Sequence, residues 1–490
     1  MRRREFCQSA LVAAGVMAFA PWQRAFAAET NALNIDGAEL TLTPAQIEEL
    51  GGALRGGLLL PGNAAYEQAR LVLNPTIDKH PALIVQPTGV ADVSLAVQFA
   101  QDNQLVTAIK CGGHSYSGRG TVNGGLLIDL SRFRHVRVNS NKRIAYVSGG
   151  SLLGAMDHEA LAQGLVTTAG TVSHTGVGGL ATAAGYGRLA RKLGLAVDNI
   201  RAVDVVSADG RLRHASAQQN QDLYWAVRGA GSNFGVVTGF EFDLHPMSRM
   251  VLAADLIYPF ARFRDVLEFY AEFSAAAPDE LCVDLIAGFP PGNTEGFVYL
   301  AMCYSGNEAA GRRVIAAAEA LGKPMRGGVR MVDYEALQRS GDNTAPRSKA
   351  TYMKGGFTSE ITTALIDDLV GGLAPAPGRS TMVIFQQAGG AIKRIAADAT
   401  AFPHRYAEHN MMLTINWKPE IDARPHVAYL KNFWRTMVTY THGFYTVEAD
   451  DENAGAWSKN YQGNYDRLLG IKRQYDADNI FRLNANISPA

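Results

Sequence analysis

The stretch Ile109-Lys110-Cys111-Gly112-Gly113-His114-Ser115-Tyr116-Ser117-Gly118 places a glycine turn and one histidine directly after an apolar run at residues 105–109. The run predicts a β-strand. Adjacent glycines let successive backbone N–H groups converge on an anion without side chains in the way. The imidazole of His114 adds a nucleophilic nitrogen to that turn. The stretch therefore predicts a phosphate-binding loop that carries a reactive side chain.

Two more glycine-rich stretches follow along the chain. Residues 169–180 contain Gly176-Val177-Gly178-Gly179 and lead to Gly185-Tyr186-Gly187, and residues 223–238 contain Gly229-Ala230-Gly231-Ser232-Asn233-Phe234-Gly235. The loop at His114 and the loop at residues 169–180 together suit a ligand with two phosphates.

The segments between these loops have the periodicity of short regular elements. Residues 125–130 and 144–148 predict strands, and residues 151–164 predict an amphipathic helix. Residues 203–208 and 211–214, joined by the turn pair Asp209-Gly210, predict a hairpin. The first half of the chain is therefore a mixture of strands and helices around glycine loops.

Composition limits the classes of partner. The 490 residues carry 46 Lys and Arg against 46 Asp and Glu, which gives a net charge of zero. This balance argues against nucleic acid or an anionic membrane as a partner. With 47% hydrophobic and 19% charged residues the chain can bury a large core. Its 50 glycines exceed the average usage of about 7%, which fits a loop-rich cofactor domain.

Taken together, these stretches resemble the FAD-linked oxidases of the vanillyl-alcohol oxidase superfamily, and most closely their berberine bridge enzyme-like branch. The similarity runs from about residue 81 to residue 246. It returns at Ala401-Phe402-Pro403-His404-Arg405 and in two C-terminal segments, Gly463-Asn464-Tyr465-Asp466-Arg467-Leu468 and residues 475–482. Several motifs in the same order along the chain are stronger evidence for the family than any single motif.

The resemblance implies an α+β fold with a two-part FAD-binding domain of the PCMH type at residues 40–247. A substrate-binding domain at 248–445 would hold an antiparallel sheet backed by helices, and residues 446–490 would return to the FAD domain. The strand candidates of the substrate-binding domain are residues 280–287, 296–303, 382–387 and 411–417, and its helix candidates are residues 309–320 and 360–369.

The resemblance also implies that FAD is attached covalently to His114 through its 8α-methyl group. A noncovalent FAD, with His114 only lining the loop, is the alternative. Many relatives add a second bond through a cysteine, but Val172 stands at that position, so we expect a single linkage. The other residues that the resemblance places at the cofactor are Lys110, Cys111, Gly112, Gly113, Ser115, Gly118, Gly170, Thr171, Thr175, Gly176, Gly178, Gly179, Gly185, Tyr186, Gly235, Val237, Asn484 and Asn486.

Two residues of the second loop depart from the family pattern. Thr175 stands where relatives commonly carry an aliphatic residue that controls the access of oxygen, which leaves oxidase and dehydrogenase activity both open. His174 replaces a typical threonine. We expect it to be a loop histidine bonded to the backbone, with a position near the flavin as the alternative.

Oxidation of an alcohol by a flavin requires a base for the hydroxyl proton. Phe444-Tyr445-Thr446-Val447-Glu448-Ala449-Asp450 matches the family's Tyr-x-Asn-Tyr region, and Glu448 takes the place of the last tyrosine. Glu448 is therefore the candidate base, with an exposed glutamate in an acidic turn as the alternative. Tyr461 and Tyr465 are second candidates, one of which would instead pack against the flavin.

Further polar residues are placed by the resemblance near the inner sheet of the substrate domain. They are the pairs His404-Arg405 and Gln386-Gln387. We expect Arg405 to be an ion-pair partner that holds the domain together rather than a substrate contact. Asn416-Trp417 offers an amide and a stacking surface to a sugar or aromatic ring, with a core tryptophan as the alternative.

The N-terminus has the form of an export signal. Arg2-Arg3-Arg4-Glu5-Phe6 precedes an apolar run at residues 10–20, and Ala25-Phe26-Ala27 has the small-x-small form that a signal peptidase cuts. Paired arginines before a phenylalanine resemble the twin-arginine signal, which exports folded proteins. We predict that residues 1–27 are a signal peptide and that the protein is periplasmic or secreted. A permanent membrane anchor is the alternative, disfavoured because the run is shorter than the roughly 20 residues that span a bilayer.

The cysteines predict no metal site. Cys7 leaves with the signal, and Cys111, Cys282 and Cys303 lack metal-ligand spacing. Cys282 and Cys303 either pair as a disulfide or remain buried thiols on neighbouring strands. We expect Cys111 to pack beneath the flavin loop.

The resemblance implies an exported FAD-dependent oxidoreductase with a small-molecule substrate. Hydride would pass from a C–OH, C–N or activated C–H group to flavin N5, and electrons would pass on to O2, giving H2O2, or to another acceptor. The alternatives are a flavin dehydrogenase with low oxygen reactivity and a non-catalytic exported flavin-binding protein. A glycan-binding module without flavin is disfavoured by the three glycine loops.

Overall fold

The computed structural model describes residues 29–290, 294–344, 349–375, 378–447 and 456–489, so the predicted signal peptide and Glu448 lie outside the described residues. Within these ranges the strands, in chain order, are β1 Thr30–Leu33, β2 Glu39–Leu42, β3 Gly57–Leu59, β4 Leu83–Gln86, β5 Thr107–Lys110, β6 Leu126–Asp129, β7 Val136–Asn139, β8 Ile144–Ser148, β9 Leu165–Val166, β10 Ile200–Val206, β11 Leu212–Ser216, β12 Val236–Asp243, β13 His245–Pro246, β14 Met250–Pro259, β15 Leu281–Phe289, β16 Phe297–Tyr304, β17 Arg326–Asp333, β18 Ala350–Thr358, β19 Arg379–Gln387 and β20 His409–Trp417.

The α-helices of the same ranges connect these strands. In chain order they are α1 Pro44–Ala53, α2 Tyr66–Arg70, α3 Val90–Asp102, α4 Leu153–Leu161, α5 Val177–Ala183, α6 Ala190–Leu193, α7 Gln221–Ala230, α8 Phe263–Ala275, α9 Glu308–Glu319, α10 Tyr334–Arg339, α11 Thr363–Gly372, α12 Arg424–Met437, α13 Trp457–Tyr461 and α14 Tyr465–Tyr475. No helix in the described part of the chain is long and apolar enough to cross a membrane.

A small sheet carries the first glycine loop. Its strand order is β3-β4-β6-β5, and β6 pairs in parallel with both β4 and β5. The strands β4 and β6 are almost wholly buried, as expected for parallel strands that are covered on both faces. Because β5 ends at Lys110, the loop that contains His114 begins at the carboxyl edge of this sheet, a common position for ligand sites in open sheets.

A second, five-stranded sheet completes the first half of the molecule. Its order is β11-β10-β12-β8-β7, and its strands pair antiparallel. The hairpin predicted around Asp209-Gly210 is present as β10 and β11, with Val206 opposite Leu212. Together, the two sheets form the predicted two-part arrangement.

A third sheet forms the other half, with seven antiparallel strands in the order β17-β14-β16-β15-β19-β20-β18. Leu281, Val283 and Leu285 of β15 pack in one cluster with Val266 of α8 and Leu369 of α11, while Asp284 lies on the opposite face. This alternation is that of a sheet covered by helices on one face only. The predicted α+β class, with an antiparallel sheet backed by helices, is confirmed.

The C-terminal helices return to the five-stranded sheet. Trp457 of α13 and Leu468 and Ile471 of α14 belong to the same buried cluster as Phe240 of β12. The ammonium group of Lys472, wholly buried, donates to the backbone oxygens of Asn233 and Phe481. A buried lysine needs such partners, since an unpaired ammonium group is costly to desolvate. These bonds fix the last helix against the third glycine cluster.

Candidate active site

The first glycine loop follows β5 and begins at Cys111. The side chain of Lys110 is buried and donates to the backbone oxygen of Ala69, and its Nζ lies 3.4 Å from Oδ2 of Asp129. Its charge is therefore satisfied inside the protein. Gly113 has a φ of +70°, a conformation that glycine adopts at little cost.

The first and second glycine loops lie directly against each other. A Cβ added to Gly112 would lie 2.3 Å from the backbone nitrogen of Gly176, and a Cβ added to Gly176 would lie 2.3 Å from the backbone nitrogen of Gly112. No side chain fits between backbones at that distance. The two loops thus form one continuous wall, with α5 starting directly after Gly176.

His114 lies where these two loops meet. Its Nε2 is 2.7 Å from Nδ1 of His174, and its Nδ1 is 3.3 Å from Oγ1 of Thr175. Burial, and then the neighbouring His174, lower the pKa of His114 to about 4. The imidazole is therefore neutral at physiological pH and retains a nucleophilic lone pair.

The thiol of Cys111 faces the second loop. Its Sγ donates to the backbone oxygen of Ser151 at 3.5 Å. Burial raises the pKa of Cys111 to about 11, so the group is a neutral thiol near pH 7 and not a nucleophilic thiolate.

The third glycine cluster meets the Ala401-Phe402-Pro403-His404-Arg405 motif and the C-terminal segment. A Cβ on Gly229, whose φ is +133°, would lie 2.2 Å from the backbone nitrogen of Phe402. On the same cluster, Nδ2 of Asn484 donates to Oγ of Ser232 at 3.0 Å. The third glycine cluster, residues 401–405 and the C-terminal segment, which are far apart in sequence, thus meet beside one cavity.

This cavity has a volume of about 340 Å3, within the range of small-molecule sites. Most of the predicted cofactor residues line it, namely Lys110, Cys111, Gly112, Gly113, His114, Ser115, Gly170, Thr171, Thr175, Gly176, Gly178, Gly179, Tyr186, Val237 and Asn484. Val172, expected at the position of a second linkage, lines it as well.

Four predicted cofactor residues do not line the cavity. Gly118 packs on Ile77, Gly185 donates its N–H to the hydroxyl of Tyr445, and Gly235 lies against the backbone oxygen of Val206. Asn486 is the fourth. The first three shape the backbone around the cavity instead.

A second group of cavity-lining residues comes from the seven-stranded sheet and from the chain that follows it. Its residues are Gln386, Tyr445, Thr446, Val447 and Tyr461. Gln386 accepts a hydrogen bond from Nδ2 of Asn410 at 3.0 Å, and Arg119 donates to the backbone oxygen of Thr446 at 2.7 Å. Arg119 was not predicted, because its role depends on this contact with a segment more than 300 residues away.

The two tyrosines proposed as second candidates for the base differ in position. Tyr461 lines the cavity, and its buried hydroxyl has no hydrogen-bond partner within the described ranges. Tyr465 instead packs against the core of the five-stranded sheet, away from the cavity lining. Of the two, only Tyr461 is placed to contact a bound molecule.

Beyond the cavity, the inner face of the seven-stranded sheet carries a carboxyl group that sequence analysis did not single out. Asp284 accepts a hydrogen bond from the backbone N–H of Gln387 at 2.9 Å, next to the cavity-lining Gln386. Burial raises the pKa of Asp284 to about 6. The side chains of Ile286 and Ile384, partners on adjacent strands, continue this face. The periodic strand pattern alone does not reveal which carboxylates on a sheet are desolvated.

The remaining candidates have structural positions. Trp417 is buried and stacks on His426, with ring centroids 5.2 Å apart, so it is a core residue. His404 is buried 4.7 Å from the ring of Phe357. Cys282 and Cys303 are opposite each other on β15 and β16 as free thiols, which selects the second of the two interpretations.

The geometry fits a dinucleotide with an isoalloxazine ring. Glycines allow the close backbone approach at Gly112, Gly176 and Gly229 that brings the three loops together around the cavity. The buried hydroxyl of Tyr461, a cavity-lining residue, has no hydrogen-bond partner among the described residues. Residues 81–216 match the family described as FAD binding domain, and residues 447–488 match the family described as berberine and berberine like. Fold and site therefore define an FAD-dependent oxidoreductase.

Comparison with known proteins gives the family. The chain is 30% identical over 449 residues to an FAD-linked oxidoreductase of Dictyostelium discoideum, covering 90% of this chain and 97% of that protein. It is 27% identical to (R)-6-hydroxynicotine oxidase of Paenarthrobacter nicotinovorans, covering 89% and 97%. A solved xylooligosaccharide oxidase of Myceliophthora thermophila, in complex with xylobiose, superposes with a TM-score of 0.80 at 26% identity, covering 91% and 99%. The chain belongs to the berberine bridge enzyme-like family of FAD-linked oxidoreductases.

Proposed function

We propose that this protein is an exported oxidoreductase whose FAD is attached through His114 alone. It removes a hydride from a C–OH, C–N or activated C–H group of a small molecule and delivers the electrons to O2, forming H2O2, or to another acceptor. The observation that carries the proposal is the cavity between two unlike walls. Glycine loops with a neutral His114 form one wall, and side chains of the substrate domain form the other.

The residues of each wall have separate tasks. FAD supplies the hydride acceptor when bound. Backbone groups around Gly112, Gly176 and Gly178 accommodate its phosphates, which need neither Lys110 nor another cation. Val172 has no thiol, so only His114 is available in these loops for attachment through a side chain at the family's positions.

The second wall holds and deprotonates the substrate. Gln386, held by Asn410, offers an amide to it, and Tyr461 offers a hydroxyl. Burial raises the pKa of Tyr461 far above neutrality, so it acts as a hydrogen-bond donor. Glu448 remains the predicted base. Asp284, with a pKa of about 6, is a further group on this side of the molecule that accepts a proton near neutral pH.

Two relatives indicate the substrate classes to test. One is named for 6-hydroxynicotine, an amine, and one for xylooligosaccharides.

The test is to purify the full chain, denature it in acid and map flavin fluorescence to a peptide. Flavin that stays on the His114 peptide alone supports the proposed linkage, and flavin that is released contradicts it. H2O2 release is then compared with dye reduction under nitrogen across amines, phenols and sugars. Dye reduction without peroxide would identify a dehydrogenase. This distinction is tested because Thr175, which contacts His114, stands at the position that controls the access of oxygen in relatives.

Export is tested with the same chain. Replacing Arg3 and Arg4 by lysine should retain the protein in the cytoplasm with its signal uncut, because the twin-arginine pathway requires the pair. Unchanged periplasmic recovery would contradict this part of the proposal.

A further inference from the structure

The ring nitrogens of two histidines and a backbone oxygen form a hydrogen-bonded chain at the cavity. Nε2 of His174 lies 3.2 Å from the backbone oxygen of Asp342, and Nδ1 of His174 lies 2.7 Å from Nε2 of His114. Asp342 belongs to the substrate half of the molecule, so the chain spans both halves. His174 thus makes the predicted backbone contact and also touches His114.

The backbone oxygen sets the direction of this chain. A carbonyl oxygen can only accept, so the hydrogen of a neutral His174 is on Nε2 and its Nδ1 is an acceptor. His114 must then donate from Nε2. With its hydrogen on Nε2, His114 has its lone pair on Nδ1, which accepts a long hydrogen bond of 3.3 Å from the hydroxyl of Thr175. Thr175 also lines the cavity.

Asp342 is itself held in place by the residue before His174. Its two carboxylate oxygens accept from the backbone N–H of Ser173 at 2.8 Å and from the Ser173 hydroxyl at 2.7 Å. A Cβ on the adjacent Gly341 would lie 2.3 Å from the backbone oxygen of Thr171. The carbonyl that orients His174 is therefore fixed by three contacts with the second glycine loop.

We propose that His174 is a positioning residue for flavin attachment, which selects Nδ1 of His114 as the bonding atom and accepts the proton from its Nε2. This inference rests on the covalent linkage proposed above. A ring alkylated at Nδ1 while still protonated at Nε2 would be a buried cation, which is costly. Transfer of that proton to Nδ1 of His174, with release of the Nε2 proton of His174 toward solvent, leaves both rings neutral.

The overall step balances with dioxygen as the oxidant. A bond forms between Nδ1 of His114 and the 8α carbon, the 8α carbon loses one proton, and the imidazole loses its Nε2 proton. The two electrons released pass through the flavin ring to O2, which takes up two protons and leaves as H2O2. His174 holds the imidazole proton before it passes to solvent.

The experiment uses full-length protein produced and purified without flavin and then mixed with FAD in air. Covalent flavin is followed by fluorescence in denaturing gels, and the bonded nitrogen is assigned by NMR of the flavin peptide labelled with 15N-histidine. The variants are His174→Leu, which removes the acceptor, and His174→Asn, whose side-chain oxygen replaces Nδ1 as an acceptor. Noncovalent FAD binding and the midpoint of thermal unfolding show that each variant is folded.

We expect attachment through Nδ1 in the unaltered protein, roughly 100-fold slower attachment in His174→Leu, and partial recovery in His174→Asn. Attachment in His174→Leu at the unaltered rate and through the same nitrogen would overturn this inference while leaving the linkage intact. Attachment through Nε2 in the unaltered protein would also overturn it. FAD that never becomes covalent in the unaltered protein would instead refute the linkage itself.

Discussion

Arg405 and Asp198 form a buried bidentate ion pair, with Nη1 and Nη2 of the guanidinium group each 2.8 Å from one carboxylate oxygen. Both side chains are nearly inaccessible, at 4% and 6% exposure. Arg405 also donates to Oγ1 of Thr400, and Asp198 accepts from the backbone N–H of Leu195. The pair joins the Ala401–Arg405 motif to the turn before β10, in agreement with the ion-pair role expected for Arg405.

Replacing Arg405 by methionine should lower the free energy of unfolding by about 3–5 kcal/mol, because the carboxylate of Asp198 would stay buried without its partner. Urea denaturation measures the loss. The matched control is Arg424→Met, which breaks an exposed pair with Asp422 and should cost less than about 1 kcal/mol. Equal effects of the two substitutions would contradict the structural role of the Arg405 pair.

Replacing Gly176 by alanine should abolish flavin binding, since the new Cβ would push the second glycine loop away from Gly112. Flavin content per chain, taken from the ratio of absorbance at 450 and 280 nm, measures the effect. Gly89→Ala is the control, because its Cβ meets open space. Full flavin content in Gly176→Ala would show that the loops do not need this close approach.

Replacing Tyr461 by phenylalanine should leave the flavin-free protein equally or more stable, because the hydroxyl loses no partner within the described residues. In the loaded protein the same change should slow flavin reduction by roughly tenfold, the size of one hydrogen bond. Stopped-flow absorbance measures the reduction rate. Tyr465→Phe is the control and should not alter that rate, and a matching decrease there would remove the distinction between the two tyrosines.

The buried carboxyl of Asp157 should make stability depend on pH. Burial raises its pKa to about 7, so the folded protein keeps a proton that the unfolded chain releases near pH 4. Stability from this group is therefore lost as the pH rises from about 4 to 7. Asp157→Asn, which keeps an acceptor for Gln338, should be more stable at pH 8 by up to about 4 kcal/mol, with no difference at pH 4.

The contribution of Asp209 to stability should change with pH in the opposite direction, so Asp209 serves as the comparison. Hydrogen bonding to Arg213 holds the pKa of Asp209 well below its usual range, so it contributes stability above about pH 4 that is lost in acid. Asp209→Asn should therefore destabilise at neutral pH and be harmless at low pH. Urea titrations at pH 4, 6 and 8 test Asp157→Asn, and titrations at pH 2, 4 and 7 test Asp209→Asn. Profiles that change in the same direction with pH would refute the assignment.

The part of the site built from contiguous sequence was predictable. The glycine loops around His114, Gly176 and Gly231 can be recognised from their composition, because backbones that approach this closely leave no room for a side chain. The opposite wall was only partly predictable. Gln386 and Tyr445 come from separate elements whose meeting depends on the packing of whole sheets. Asp342 was not predicted at all, because its bonds to Ser173 cross 169 residues and involve no motif.

The secondary structure was also predictable only where the local sequence carries a clear pattern. Strands β15, β16, β19 and β20 were predicted within two or three residues of their ends, because apolar residues alternate or cluster there. The edge strands β17 and β18 were not predicted. The sequence of β17 contains Gly327 and Gly328 and is largely exposed, so neither burial nor propensity marks it as a strand.

The return of α13 and α14 to the five-stranded sheet has a consequence for synthesis. The bond from Lys472 to Asn233 spans 239 residues, and the intervening chain builds the seven-stranded sheet. A ribosome therefore completes the second half of the molecule before the helices that seal the first half emerge. Until then the apolar surface around Phe240 stays open in the nascent chain, which makes it a substrate for chaperones. Because Tyr461 and Asn484 of this last part of the chain line the cavity, we expect the cofactor to be loaded after translation.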